Sequence, residues 1–320
     1  MKAALPLLLA LAADAWLGDP PVWPHFVRWV GKAIAWLETR LRALCGTAQG
    51  LRLAGVALAL LVVGGSALAA WLALKLAYAL LPILGLALAA LLAFQCLAAG
   101  QLWREAKAVL APLEAGDLVE ARRSLAMIVG RDTGQLSEMA VRRAVIETLA
   151  ENLNDGVIAP LFYLALGGPV LGVAYKAVNT LDSMVGYKDE RYADLGWASA
   201  RLDDLAGWLP ARLTAALIIA AAPLLGLNPG QALQATLLFH DAHKSPNSAW
   251  SEAAMAGALD LRLGGPNFYH GQLVDKPWIN PSGRDPLPPD ALAALRVLVM
   301  ATSLAGSLVL LNVWLARGWV

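Results

Sequence analysis

Three stretches of the chain carry residue types that do chemistry. In the first, Arg143, Glu147, Glu151 and Asp155 recur at four-residue spacing, which places them on one face of a helix. Hard carboxylate oxygens in such a row, with Asn152 and Asn154 beside them, suit Mg²⁺ held together with a phosphate-bearing substrate. The same stripe also suits a plain solvated helix face with an Arg143–Glu147 pair. In the second stretch, Lys176, Asn179, Asp182, Lys188 and Arg191 lead on to Arg201, Asp203, Asp204 and Arg212. Bases alternating with acids can bind phosphates and a metal at once. Lys176 and Arg212 equally read as side chains snorkelling from a membrane edge. The third stretch runs from Phe239 to Glu252. Its His240 and His243 have no third histidine or cysteine nearby, which argues against zinc. Lys244, Ser245, Asn247 and Ser248 lie on a proline-containing turn that leads into a helix, and there they present donors to an anion. Asn267, Tyr269 and Gly271 follow in a glycine-rich turn.

Several familiar devices are absent. The sequence has no GxxxxGK[ST] phosphate loop, no GxGxxG after a strand and no Gly-x-Ser-x-Gly elbow. Any nucleotide chemistry therefore runs through a less familiar site.

The elements that must hold these stretches are membrane helices. Of 320 residues, 58% are hydrophobic and 15% charged, against about 25% charged in a typical soluble domain. The fold class expected is all-α, a polytopic integral membrane bundle with about four to six membrane segments and polar helical loops. A formal net charge of +1 argues against a nucleic-acid partner, which would want a concentrated basic face. Cys45 and Cys96 lie in or beside apolar runs and read as small hydrophobic filler. Met1-Lys2 and the apolar run to Ala13 imitate a short signal peptide, but the chain continues directly into the polar turn Gly18–His25, and Met1–Leu17 reads as a first membrane helix. Residues 26–44 form an amphipathic helix. Its Arg28, Lys32, Arg40 and Arg42, with Lys2 and Arg52, favour a cytoplasmic face for that loop.

Leu53–Leu74 and Leu76–Leu102 read as spans, with Lys75 marking the turn between them. Asp132 or Thr133 reads as a helix cap. Val157–Tyr175 is either one span or a re-entrant hairpin broken at Gly167-Gly168-Pro169, with arms of about 15 Å at 1.5 Å per residue. Leu213–Leu227 is a further short apolar segment, 231–284 is polar and loop-rich, and Leu292–Leu315 is the last span, followed by Arg317. The whole chain, 1–320, reads as a single membrane domain whose polar loops 103–156, 176–212 and 228–290 form the active site.

The joined motifs resemble one family. They include Asp14-x3-Gly18-Asp19-Pro20, Glu147-Thr148-Leu149-Ala150-Glu151-Asn152, Asp155-Gly156-Val157-Ile158-Ala159-Pro160-Leu161 and Tyr175 to Tyr187. Ala200-Arg201-Leu202-Asp203-Asp204, Pro210-Ala211-Arg212, Asp241 to Ser248 and Leu263-Gly264-Gly265-Pro266-Asn267 complete them. Together they resemble the CbiB/CobD family of cobalamin biosynthesis, the adenosylcobinamide-phosphate synthases. That resemblance implies an ATP- and Mg²⁺-dependent amide ligation in the cytoplasmic membrane, with the site facing the cytoplasm. Its implied substrates are the corrinoid adenosylcobyric acid and (R)-1-amino-2-propanol O-phosphate or ethanolamine phosphate. Other membrane enzymes of late cobalamin assembly are implied neighbours.

Within that chemistry, Glu147, Glu151, Asp155 and Asp182 are expected to hold metal. Arg143, Lys176, Lys188, Arg201, His243, Lys244 and Ser245 are expected to bind substrate or phosphate. Asn179 and Asn247 would orient, and Asp203 or Asp204 would act as base or second metal ligand. An AmpE-like membrane sensor, from the same superfamily, is the alternative in another class. A transporter with a midplane site is a third reading, though no inverted repeat is visible.

Overall fold

The structure is a computed structural model and describes residues 4–20, 22–187 and 189–315. Helix α1 (Ala4–Leu17) is apolar and ends where Gly18 N–H donates to Asp14 O. The prolines that follow stop any helix. His25 then caps α2 (Phe26–Ala43), its Nδ1 accepting from Val27 N–H at 3.2 Å.

Helix α3 (Ala48–Leu80) is capped by Thr47 and runs past Lys75. The break expected at Lys75 falls instead at Leu81, because the residue before a proline is pushed out of the helical region and Leu81 sits at φ −153, ψ 130. Lys75 stays helical, its ammonium 4.8 Å from the Trp71 ring. The single span expected over 76–102 is two helices, α4 (Pro82–Cys96) and α5 (Ala99–Glu114). Next come α6 (Leu118–Ala126) and α7 (Glu138–Leu153). The cap of α7 is Ser137, accepting from Ala140 N–H, rather than Asp132 or Thr133.

Beyond α7 a π-helical turn, Asn154–Ile158, leads into α8 (Ala159–Val185). Inside α8, Gly167 and Gly168 leave helical geometry, Gly168 at φ 62, ψ −158. That conformation is essentially reserved for glycine. Tyr163 and Tyr175 would lie about 18 Å apart on a straight helix, yet their rings stack with centroids 4.9 Å apart. Leu164 likewise packs against Gly172. The Gly-Gly-Pro break is therefore a turn that folds the chain back, and of the two readings of 157–175 the structure takes the helical hairpin. The proline contributes by lacking the N–H that would continue the helix.

Helix α9 (Trp197–Leu224) absorbs the short segment expected at 213–227 and starts well before it, so Arg201, Asp203 and Asp204 are helical. Helices α10 (Pro229–Phe239) and α11 (Ser248–Leu259) occupy part of the stretch expected to be loop-rich. Four strands of two or three residues follow: β1 (Leu263–Gly264), β2 (Asn267–Tyr269), β3 (Gln272–Val274) and β4 (Trp278–Ile279). β1 pairs with β4 and β2 with β3, both antiparallel. Helix α12 (Pro288–Leu315) closes the described chain.

Among the described residues, five helical stretches are long and apolar enough to cross a membrane: Ala48–Leu80, Pro82–Glu114, Glu138–Val185, Trp197–Leu224 and Pro288–Leu315. The chain is a multi-pass helical membrane protein.

Two compact units share these elements. One gathers α1–α4, α8, the start of α9 and the end of α12; in it α3 packs on α2, α4 and α8, and α1 packs on α4. The other comprises Ala98–Ile158 and Trp208–Ser307. There α10 pairs with α11, and α7 is packed by α5, α6 and α11. Helix α7 is buried on nearly every side, Arg143 and Glu147 included. A plain solvated face is thus excluded for that part of the stripe.

Candidate functional site

The second unit encloses a cavity of about 400 Å³. Helix α7 supplies Glu147, Thr148, Glu151 and Asn152 to its wall. The segment before α7 supplies Arg131, the α10–α11 connection His243 and Lys244, and α11 Ser248 and Glu252. The strand region adds Gly264, Asn267, Tyr269 and Lys276. Residues far apart in sequence meet here because a buried ionic network ties the segments together.

At the centre of that network is Glu147, only 5% exposed. Arg131 donates through Nη2 to Glu147 Oε2, and Gly264 N–H donates to Oε1 at 2.7 Å. Arg131 also donates to Asn267 Oδ1 at 3.2 Å. Burial alone would lower Arg131, but the Glu147 carboxylate beside it more than offsets this and holds the guanidinium above its usual range. Gly264 meets the carboxylate because it sits at φ +75, where a Cβ would lie 2.7 Å from Pro277 O. No side chain fits that turn without moving the amide. Asp132 accepts from His270 N–H at 3.2 Å and Gly271 N–H at 2.7 Å, pinning the β2–β3 hairpin to the same segment.

Arg143 does not reach the cavity. It donates to Asp285 and lies 4.7 Å from the Trp278 ring, with Arg262 at 5.1 Å from that ring. Arg262 binds Asp285 through two bonds, of 2.8 and 2.7 Å, which holds the Asp285 carboxyl below its usual range. The expected Arg143–Glu147 partnership is replaced by these longer-range pairs.

Glu151 is exposed and lines the cavity, whereas Glu252 is 4% exposed. Burial, with the charges of Glu151 and Glu147, pushes the Glu252 carboxyl well above its ordinary value. His243 Nδ1 lies 3.0 Å from Ser248 Oγ and 3.5 Å from Glu252 Oε1, and burial pushes its imidazole down, with Lys276 adding to the effect. Burial thus pushes these two neighbouring groups each towards its neutral form. Ser245 Oγ accepts from Asn247 N–H at 3.3 Å, and neither residue is part of the cavity wall. Asn247 precedes α11 without a side-chain capping bond.

The other expected residues are placed differently. Asp155, at the π-turn, accepts from Asn154 Nδ2 at 2.6 Å, and Asn154 in turn accepts from Thr214 at 2.9 Å. Lys176, Asn179, Asp182, Arg201, Asp203 and Asp204 belong to the first unit. There Arg201 and Asp204 pair at 3.8 Å beside a small cavity of about 80 Å³. Asp182 Oδ1 is folded against the backbone of Gly186. Lys188 lies outside the described residues. The four residues expected to hold metal are therefore split, with only Glu147 and Glu151 on the cavity wall. Among the described residues no three His, Cys, Asp or Glu side chains gather closely enough to hold a metal ion on their own.

Sequence reasoning passed over Arg131, Glu252 and Lys276 as site residues, and noted Tyr269 only as part of a glycine-rich turn. Arg131 stands in a break noted only for its turn residues, and Lys276 precedes a proline in an apparent loop. Glu252 carried a usable signal, one helical turn beyond Ser248 in the polar stretch already singled out.

A family model described as CobD/Cbib protein matches residues 7–298. The cobalamin biosynthesis protein CobD of Klebsiella pneumoniae subsp. pneumoniae is 48% identical over 297 residues, 93% of each chain. The cobalamin biosynthesis protein CbiB of Salmonella choleraesuis is 46% identical over 297 residues, 93% of each. That of Salmonella arizonae is 46% identical over 312 residues, covering 98% of this chain and 97% of its own. No solved structure matches the chain. The segments that build the cavity wall all fall within the matched residues, and the chain belongs to the CobD/CbiB family.

Proposed function

We propose that this protein acts in cobalamin biosynthesis as an ATP-dependent amide ligase of the cytoplasmic membrane. It joins the free propionate carboxylate of adenosylcobyric acid to the amine of (R)-1-amino-2-propanol O-phosphate or ethanolamine phosphate. The observation that carries the reading is the 400 Å³ cavity, where an accessible carboxylate, Glu151, shares a wall with the ammonium groups of Lys244 and Lys276. Charges of both signs suit an aminoalkyl phosphate meeting a carboxylate. A space of that size, in the range of about 300–1,000 Å³ for small-molecule sites, takes the amine, the propionate arm and phosphates. The corrin macrocycle stays outside.

The donor set also fits Mg²⁺. This ion is usually held by one or two carboxylates together with substrate phosphates, rather than by an all-protein cage. Glu151 is the residue that would hold it, since Glu147 is already engaged by Arg131 and Gly264. Bound there, Mg²⁺ would neutralise phosphate charge. Lys244 binds phosphoryl oxygens at the rim, and the buried Arg131–Glu147 pair keeps the strand region closed over α7. In the reaction the propionate oxygen attacks the γ-phosphorus of ATP, ADP leaves, and the amine then displaces phosphate from the acyl carbon.

The test is stoichiometric. Purified protein in detergent should release one ADP and one phosphate per amide formed, only when both substrates and Mg²⁺ are present. ATP turnover independent of the amine and the corrinoid would overturn the reading.

A further inference from the structure

The sequence reading placed a phosphate-binding role on Lys244 but left Lys276 aside. We infer that Lys276, positioned by Tyr269, is a second phosphate-contacting cation of this cavity; the inference rests on the ligase reading only for the identity of the phosphate. Three cationic side chains line the cavity: Arg131, Lys244 and Lys276. Arg131 is spent on Glu147 and Asn267. Lys244 is exposed, and neither it nor Lys276 makes an ion pair among the described residues. Lys276 is half-buried, and among the described residues its one hydrogen bond is donated to Tyr269 Oη at 2.8 Å. The same ammonium lies 5.0 Å from the Tyr269 ring.

An ammonium has three donors, so two remain for a ligand. Tyr269 fixes where they point through that hydrogen bond, because its hydroxyl holds one of the three donors in place. Lys276 lines the cavity wall, and its charge acts on Glu252 and His243 there. Among the described residues no carboxylate, Glu151 included, comes within ion-pair distance of it, although its charge reaches Glu151 across the cavity. Glu147 is neutralised by Arg131, and Glu252 lies beside His243. A half-buried cation with two unused donors, facing a small polar cavity with a second unpaired lysine, has the chemistry of a phosphoryl-oxygen contact. The strand register supports this, since Tyr269 pairs with Gln272 in the hairpin that leads to Lys276. The hairpin thus presents both the cation and its positioning ring from one side.

The phosphate could come from the amino alcohol phosphate or from ATP, and binding measurements separate the two. Full-length protein in detergent would be titrated calorimetrically with O-phosphoethanolamine alone and with ATP–Mg²⁺ alone, for the parent, Lys276→Met, Lys276→Arg and Tyr269→Phe. Lys276→Met should weaken one of the two probes at least tenfold, and the probe affected names the phosphate. Lys276→Arg should stay within about threefold of the parent, and Tyr269→Phe should fall between, keeping the charge but losing its hold. Unchanged affinity for both probes in a Lys276→Met protein with parental melting temperature overturns the inference, as does a parent that binds neither. Amide formation in the same preparations is read separately. Product without a Lys276 effect sinks this inference alone, whereas Lys276-dependent binding without product sinks the ligase reading alone.

Discussion

Removing Glu147 should unfasten the strand region from α7. The side chains of Arg131 and Glu147 are 13% and 6% exposed, so the pair is desolvated on both sides. Truncating one member of such a pair typically costs about 3–5 kcal/mol, because the other charge is left buried and unpaired. Glu147→Ala also strands the Gly264 N–H, worth about 1–3 kcal/mol on its own. The two costs overlap, and a total of about 4 kcal/mol is expected. Replacing both partners with apolar groups, Arg131→Met with Glu147→Leu, should cost less than either single change by about 1 kcal/mol or more. The assay is thermal and denaturant unfolding in detergent, with hydrogen exchange read over 130–133 and 263–268. Exchange there should accelerate in each single variant before global unfolding. Single variants that lose under about 0.5 kcal/mol, with an additive double, would refute the argument that this pair holds the cavity together.

Four further outcomes follow from the same geometry. Gly168→Ala forces a side chain into φ 62, ψ −158 and should cost about 1–3 kcal/mol, seen as a lower melting temperature; an unchanged value would contradict the turn. Gly264→Ala should weaken unfolding stability by a similar amount and accelerate exchange at residues 263–265, since its Cβ meets Pro277 O. Glu252 has a folded-state pKa raised above its unfolded value, so its contribution is favourable at acid pH and lost as pH rises from about 4.3 towards the raised value. Glu252→Gln should therefore gain stability relative to the parent at neutral pH and not near pH 4, and equal gains at both would refute the assignment. Asp285 is depressed by Arg262 and Arg143, so the stability it gives is present above its unfolded pKa and lost as pH falls through its folded one; Asp285→Asn should flatten the acid limb of a stability–pH curve.

Much of the membrane architecture was legible because apolar length and proline breaks are local signals. The boundary at Leu81 is missed only because Lys75 looks like a turn marker, while its stem packs along the helix by Trp71. The hairpin at 157–175 is open in sequence since Gly-Gly-Pro serves both a kink and a turn; the Tyr163–Tyr175 stack decides it. Of the site, Glu147, Glu151, His243 and Lys244 are found from residue type and motif, and the cavity does gather them. Arg131 and Lys276 are not, because their meaning lies in contacts across the chain, as in the Gly264 amide reaching Glu147 from 117 residues away. Asp155, placed on the stripe by spacing, is bound by Asn154, and Asp182, expected from the second stretch, belongs to the first unit.

The most direct test of the central claim is product formation by the parent and by Glu151→Gln. Adenosylcobyric acid, ATP, Mg²⁺ and aminopropanol phosphate would be incubated with each protein, and the corrinoid products weighed by mass spectrometry. Adenosylcobinamide phosphate from the parent, and none above background from a Glu151→Gln protein of equal melting temperature, is the predicted result. No product from a well-folded parent would contradict the ligase, and equal product from both would contradict the place given to Glu151.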